Sequence, residues 1–395
     1  MTNPVHKPLG QLLLRPPRYG INAAAVPLAP GVATYVRITD INDSGRFSPD
    51  PKVGVDHVSA VNYRLSAGEL VFARTGASVG KSYLYDSRDG ELVYAGFLIN
   101  IAPDPKRLNP KYLSLFVQSK EYWDWIARTS VRSGQPGVNG REYAQLPVPL
   151  PDIATQNAIV SAMNDVDDLL STLERLIAKK QAIKHGMVQC LLTGKVRLPG
   201  FTSGTWETRP LREGVSLISG THVMARDCNT RGIGTPYLTG PADFPNGEIK
   251  QTKFTTRPVS LCRAGDILIT VKGSGSGSMV EADAEYCISR QLMAVRTSKW
   301  DSRFLFYSLL HNASQIRAAS AGLIPGLSRS DILDQQLPIP PTMAEQNAIA
   351  EALSAIDHQI EGLKRLNAQK EAIKTGMIQQ LLTGRTRLPT KESAA

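Results

Sequence analysis

The sequence predicts an α+β protein in which two mixed α/β domains are separated by two long helices forming an antiparallel coiled coil, with an internal pseudo-two-fold repeat relating the halves. Three observations predict it. Residues 156–199 return at 346–389, an offset of 190, with 24 of 44 positions identical and no gap. Within each copy, apolar residues alternate four and three apart, the spacing of a coiled-coil seam. Ahead of each copy lie short β-branched and aromatic runs broken by Gly, Pro, Asn and Asp, the pattern of strands joined by turns.

The helices are the clearest elements. The first seam is Ile159, Met163, Val166, Leu170, Leu173 and Ile177, and the second is Ile349, Leu353, Ile356, Ile360 and Leu363. Thr342 and Glu345 have the spacing of a capping box, and Asp152 occupies the cap position of the first copy. Gly194 and Gly384 stand where a left-handed residue ends a helix, followed by Pro199 and Pro389. About 40 residues at 1.5 Å each make a rod of about 60 Å. A whole domain links the two helices, which favours antiparallel pairing. The expected organisation is a first domain over 1–150, a helix over 151–199, a second domain over 200–340, and a helix with a tail over 341–395.

The domains, or heads, repeat faintly. Ala67–Leu70 resembles Ala264–Ile267, Gly76–Ser82 resembles Gly273–Ser278, Gln135–Val138 resembles Ile324–Leu327, and Leu146–Pro149 resembles Leu337–Pro340. Strands are expected at 34–38, 69–73, 266–271 and 291–295, and helices at 109–126 and 302–317. The helices have stayed alike while the heads have drifted apart. That suits a chain that recognises two different things at a set separation.

Composition narrows the class. A chain of 395 residues with 42% apolar content can bury more than one core. Lys+Arg outnumber Asp+Glu by 45 to 35, so a polyanionic partner is expected. Cys190, Cys228, Cys262 and Cys287 form no C-x-x-C pair, so no metal site is expected. There is no run of about 18 apolar residues and no signal-peptide apolar region, so the expected compartment is the cytoplasm, with no membrane partner. The six His form no H-E-x-x-H pattern. The Asn/Asp-Pro-Pro-aromatic signature of adenine methyltransferases is absent: Pro16-Pro17 follows Arg15, and Pro340-Pro341 follows Ile339. No catalytic residue and no bound cofactor are therefore expected.

One combination occurs twice: a head ending Leu-Pro-x-Pro, then a long helix with Gln-Asn-Ala-Ile near its start and Leu-Leu-Thr-Gly-Lys/Arg-x-Arg-Leu-Pro at its end. Lys184, Gly186, Met187, Gln189 and Leu191–Gly194 recur as Lys374, Gly376, Met377, Gln379 and Leu381–Gly384. This combination resembles the specificity subunit of Type I restriction-modification systems, and the resemblance covers essentially the whole chain. It implies that each head is a target-recognition domain for one half of a split, asymmetric sequence in double-stranded DNA. It implies that the helices set the spacer and that two modification (methyltransferase) subunits dock on helices and heads. Motor and nuclease subunits are optional further partners. S-adenosylmethionine, ATP and Mg are expected on those partners and not on this chain. The second head departs in one respect: Ser278 falls near the position of Lys81 or Ser82, which separates Lys81 from any role shared by both heads.

The candidate DNA-binding residues are Arg37, Arg74, Lys81, Ser82, Arg132, Gln135, Asn139 and Arg141 in the first head and Lys272, Ser274, Arg290 and Arg329 in the second. Arg and Gln can make paired hydrogen bonds to guanine and adenine edges, while Ser and Lys suit phosphates. The turn Gly76–Ser82 superficially resembles a phosphate-binding loop. That motif needs four residues between its glycines and a helix after them; here there are three, followed by strand-like Tyr83-Leu84-Tyr85. A hairpin turn is expected instead. Met163, Val166, Leu170, Leu173, Leu353, Ile356, Ile360 and Leu363 are expected in the helix seam. Arg175, Lys179, Lys180, Lys184, Arg365, Lys370 and Lys374 form charged helix faces. Among them Lys184 and Lys374, kept in both copies, are the best candidates for contact with spacer DNA or partners. The rival reading is a coiled-coil adaptor whose heads bind proteins.

Overall fold

The computed structural model describes residues 5–273, 275–319, 326–382 and 386. It divides into two compact units. One is Met1–Leu173 with Leu366–Ala395, and the other is Glu174–Arg365. The first long helix, Ile153–Leu191, and the second, Met343–Leu382, each begin in one unit and end in the other. Each unit therefore holds its own head, the first turns of that head's helix and the last turns of the other helix.

In the first unit a four-stranded antiparallel sheet runs in the order Arg18–Tyr19, Leu98–Ile101, Leu70–Ala73, Ser82–Leu84. Leu70, Val71, Phe72 and Ala73 are all fully buried because the sheet is covered on both faces. Successive side chains point opposite ways. Leu70 and Phe72 pack with Tyr112, Phe116 and Tyr122 and with Ile159 and Met163 of the first long helix. Val71 and Ala73 pack with Val36, Leu92 and Tyr94 of a second sheet. That sheet runs Val26–Pro27, Val53–Val55, Ala33–Val36, Leu92–Tyr94, its last pair parallel. His6–Pro8 pairs with Pro147–Pro149 where the head meets its helix.

The second unit repeats this plan. Its main sheet runs Val215–Ser219, Leu292–Thr297, Ile267–Thr270, Met279–Glu281. Ile267 and Ile269 face the helices and Leu268 faces the other sheet. That other sheet again holds one parallel pair, Thr235–Leu238 beside Tyr286–Ile288, and gains Leu261–Cys262 at one edge. Glu207–Pro210 pairs with Gln336–Ile339.

Two expected helices are each broken in two. Residues 109–126 form Pro110–Phe116 and Lys120–Thr129, because the Ser119 hydroxyl accepts from the Tyr122 amide and starts a new helix. Residues 302–317 form Ser302–His311 and Ala313–Ala319, with the break at Asn312.

The long helices start as the caps predict, with one correction. Asp152 Oδ1 accepts from the Thr155 amide at 2.7 Å. The Glu345 amide donates to Thr342 Oγ1 at 3.2 Å, but the Glu345 carboxylate is fully buried on Arg197 Nε and Nη2, at 2.8 and 2.7 Å, with Trp206 Nε1 donating at 3.2 Å. The capping box is thus half made, since an ion pair outcompetes a backbone amide for the carboxylate. Gly194 is left-handed at φ +70°, and a Cβ there would come within 3.0 Å of the Trp206 ring. Gly384 and Pro389 lie outside the described residues.

The pairing of the helices is antiparallel within each unit. Ile159, Val160 and Met163 pack with Ile378, Leu381 and Leu382 in one. Leu191 and Leu192 pack with Ile349, Ala350 and Leu353 in the other. Leu170, Leu173, Ile356 and Ile360 are also buried, but Val166, Ile177 and Leu363 are only half-buried. Leu176, Ile183, Leu366 and Ile373 are exposed.

Candidate nucleic-acid interface

Each head carries a tip built on the end of its buried central strand. In the first, a turn at Gly76–Ser78 joins Leu70–Ala73 to Ser82–Leu84, closed by Ala73 N–H to Lys81 O at 2.8 Å and Gly80 N–H to Ala73 O at 3.0 Å. The turn needs glycine at Gly80: its φ is +89°, and a Cβ would press on Ile126 and Trp123 at 3.0 Å. Because the flanking strands are antiparallel and the turn leads into strand, this is a hairpin and not a nucleotide-binding loop. Two further segments lie against it. The Val138 amide donates to Arg74 O at 2.9 Å, and the Arg74 amide donates to Phe97 O at 3.0 Å. Buried Tyr122 and Tyr143 donate their hydroxyls to Gly80 O and Ala73 O, at 2.6 and 3.0 Å, and fix the hairpin from below. Burial pushes both hydroxyls well above their ordinary pKa, so they remain donors.

The second tip repeats the backbone bonds of the first. Thr270 N–H donates to Ser278 O, Gly277 N–H to Thr270 O, Leu327 N–H to Val271 O and Val271 N–H to Gln291 O, all between 2.7 and 2.9 Å. The isolated bridge Thr75–Gly137 has its counterpart in Lys272–Gly326. Lys81 thus corresponds to Ser278, and the pair Gly96–Phe97 to Arg290–Gln291.

The side chains on these equivalent frames differ. In the first tip the Arg74 guanidinium lies 5.0 Å from the Tyr19 ring and 5.8 Å from the Phe97 ring, with Nε buried and without a hydrogen-bond partner among the described residues. Beside it is an open cleft of about 570 Å³ lined by Pro16, Pro17, Tyr19, Asn139, Gly140, Arg141 and Ala144. Arg141 is exposed and Gln135 is exposed. In the second tip Lys272 and Arg290 are exposed, and neither makes a hydrogen bond or ion pair among the described residues. Arg329 Nη1 and Nη2 donate to Ser219 Oγ at 3.0 Å and Leu217 O at 3.2 Å. Ser274 lies outside the described residues.

Several other candidates are held by their own chain. Arg37 forms a two-pronged pair with buried Asp40, at 3.0 and 2.7 Å, that anchors a local turn. Lys81 Nζ sits 2.7 Å from Asp43 and holds that carboxyl below its usual range. Arg132 donates to Thr129 O and Val131 O, both at 2.8 Å, and to Glu142. The Asn139 side chain caps the helix Gly140–Ala144 by accepting from the Arg141 and Glu142 amides. Ser82 is half-buried at the start of its strand. So Arg74, Arg132, Gln135, Asn139 and Arg141 gather at one tip, Lys272, Arg290 and Arg329 at the other, and Arg37 stands apart on Asp40.

Lys184 and Lys374 have a different fate from the one expected of them. Lys184 Nζ is 2.6 Å from Asp357, and Lys374 Nζ is 2.6 Å from Asp167, each pair joining the two helices within one unit. Both copies thus use the lysine in the same ion pair between helices.

The sequence did not single out Tyr19 or Phe97, and it marked the two glutamines of Gln-Asn-Ala-Ile as repeated without giving them a role. Gln156 is fully buried; its Oε1 accepts from the Asn109 amide at 2.8 Å, and its Nε2 donates to Arg107 O and Pro151 O. Gln346 does the same with the Asp301 amide, at 2.9 Å, and Pro340 O. Each ties a head to the start of its helix. Identity in both repeats was the available signal; Phe97 had none, since its counterpart is an unlike residue.

A model of the Type I restriction modification DNA specificity domain family matches the chain twice, at residues 28–185 and 203–372. The chain belongs to that family. A Methanocaldococcus jannaschii protein, provisionally assigned as the type I restriction enzyme MjaX specificity subunit, is 28% identical over 346 residues, 83% of this chain and 80% of the relative. A chain from a structure on complex assembly and conformational transition of the type I R-M system aligns at TM-score 0.63 and 21% identity, covering 98% of this chain and 99% of its own. The Type-I restriction-modification system S subunit from M. genitalium aligns at TM-score 0.62 and 15% identity, covering 95% of both. These likenesses share the fold with this specificity subunit: two specificity domains alternating with two long helices. No helix among its described residues is long and apolar enough to cross a membrane.

Proposed function

We propose that this chain is the non-catalytic DNA-reading subunit of a Type I restriction-modification complex, each head recognising one half of a bipartite, asymmetric target in double-stranded DNA. One observation carries the reading: two specificity domains present the same hydrogen-bonded tip with different side chains, Arg74 with Tyr19 and Phe97 in one and Lys272 with Arg290 in the other. A repeated scaffold with unlike tips suits two unlike half-sites. Lys and Arg supply phosphate affinity, and a few base-edge contacts supply sequence preference.

The helices, 39 and 40 residues long, set the spacer in this reading. Their exposed apolar residues, Leu176 and Ile183 in one unit and Leu366 and Ile373 in the other, are the patches we assign to two modification subunits. Those partners supply S-adenosylmethionine and the methyl transfer, and motor subunits supply ATP and Mg chemistry where they join. The complex works on genomic DNA in the cytoplasm.

The test is single-molecule methylome sequencing of a host expressing the neighbouring methyltransferase subunit with and without this gene. Adenine methylation at a split motif that depends on this gene is the expected result. No gene-dependent motif, with the methyltransferase expressed, overturns the reading in favour of a protein-binding adaptor.

A further inference from the structure

The heads differ most tellingly at one two-residue turn. In the first it is Gly96–Phe97, between Leu92–Tyr94 and Leu98–Ile101; in the second it is Arg290–Gln291, between Tyr286–Ile288 and Leu292–Thr297. The backbone is the same in both. The Leu98 amide donates to Ala95 O at 2.8 Å and the Leu292 amide to Ser289 O at 2.9 Å; the Gly20 amide donates to Leu98 O at 3.1 Å and the Gly220 amide to Leu292 O at 3.0 Å. Each turn is thus pinned to the buried sheet on one side and to the glycine hairpin on the other. A side chain projecting from it is held by a rigid frame.

What projects is different. Phe97 is 54% exposed, a large apolar side chain in solvent beside the Arg74 guanidinium. In the second head Gln291 Oε1 folds back against Gly240, where an added Cβ would lie 2.6 Å from it. Arg290 is left exposed, without hydrogen bond or ion pair among the described residues.

We propose that this turn is the base-reading station of each head: Arg290, the first turn residue, forks onto a guanine in the half-site of the second head, and Phe97, the second turn residue, packs on a thymine methyl in the half-site of the first. The inference rests on the DNA-recognition reading above and deepens it. Guanine offers the two adjacent acceptors, O6 and N7, that match a guanidinium fork, and an aromatic ring is the natural contact for a thymine methyl. Phosphate contacts carry no sequence information and need no head-specific residue. A turn whose backbone frame is kept while its residues change from Gly96–Phe97 to Arg290–Gln291, so that an aromatic ring projects in one head and a guanidinium in the other, has the property a base reader requires. Lys272, one residue from Val271 where the turn is pinned, is placed for the phosphate alongside.

The experiment is selection of a randomised duplex library by the full-length chain as wild type, Arg290→Ala, Arg290→Lys and Phe97→Ala, read by sequencing. Both Arg290 variants should lose preference for one G·C pair in one half-site, with discrimination there falling roughly 5- to 150-fold. The other half-site should stay unchanged. Lysine keeps the charge and loses the fork, so it should behave as alanine does at that base pair. Phe97→Ala should lose preference for one A·T pair in the opposite half-site. If Arg290→Ala instead weakens every sequence equally and lowers the salt slope by about one, the residue binds phosphate and the inference falls. Unchanged selection by the variants also overturns it. A wild-type chain that enriches no motif overturns DNA recognition itself, a failure visible before any variant is compared.

Discussion

Lys184 of the first long helix meets Asp357 of the second at 2.6 Å, and Tyr307 of the second head donates its hydroxyl to the same carboxylate at 2.8 Å. The repeat returns the ion pair as Lys374 with Asp167. A residue retained in both copies is therefore a link between helices. Lys184→Ala should lower the stability of its unit by about 0.5–1 kcal/mol, since both partners are half-buried and screened by water. The double variant Lys184→Asp with Asp357→Lys should recover most of that loss in denaturant titrations. Equal loss in the single and double variants would show that the pair is not coupled.

The buried glutamines carry more. Gln156→Leu removes an acceptor from the Asn109 amide and donors from Arg107 O and Pro151 O. Each buried group left unsatisfied costs about 1–3 kcal/mol. The variant should unfold at clearly lower denaturant, with faster hydrogen exchange at the Asn109 amide. Ser161→Ala, on the same helix at an exposed position, should change little.

Asp152 gives a pH signature. The Thr155 amide donates to its carboxylate and holds it below the ordinary carboxylate range. A group whose folded pKa is depressed stabilises above its unfolded pKa and loses that contribution as pH falls through the folded one. Asp152→Ala should therefore cost about 1 kcal/mol at pH 7. The gap from wild type should close as the pH falls out of the ordinary carboxylate range and through the depressed pKa of the folded state. Asp152→Asn, which caps without titrating, should keep its stability across that window.

Position along the seam decides what a charge costs. Leu353 is fully buried with Leu191 and Leu192, so Leu353→Asp should destabilise by several kcal/mol. Leu363→Asp, in the same seam but half-buried, should cost under about 1.5 kcal/mol. Comparable losses at the two sites, measured by thermal unfolding, would show that burial along the seam does not decide the cost.

Adding one helical turn, four residues or about 6 Å, to both long helices should lengthen the preferred spacer by one or two base pairs. The methylated motif reports it directly. An unchanged spacer would remove the helices from that role.

Much of the architecture was legible in the chain. Heptad spacing located both helices, Asp152 and Gly194 marked their ends, and apolar runs such as Leu70–Ala73 and Ile267–Thr270 located the central strands. These signals are local, since a helix or strand face is defined by residues a few positions apart. The same local reading merged the helices broken at Ser119 and Asn312, because a cap hydroxyl inside an apolar run looks like any serine.

The sequence by itself determined that this chain is a tandem duplication with two paired helices and two diverged heads, because repeats and periodicity are properties of order along a chain. The tertiary structure alone decided what its polar side chains are for. Lys184 and Lys374 could have faced solvent, and Lys81 a ligand, until Asp357, Asp167 and Asp43 were brought beside them. The turns Gly96–Phe97 and Arg290–Gln291 become equivalent once two differently diverged heads are seen to make the same backbone bonds. Hydrogen bonds and ion pairs act over about 3 Å of space, and the fold sets which residues share it.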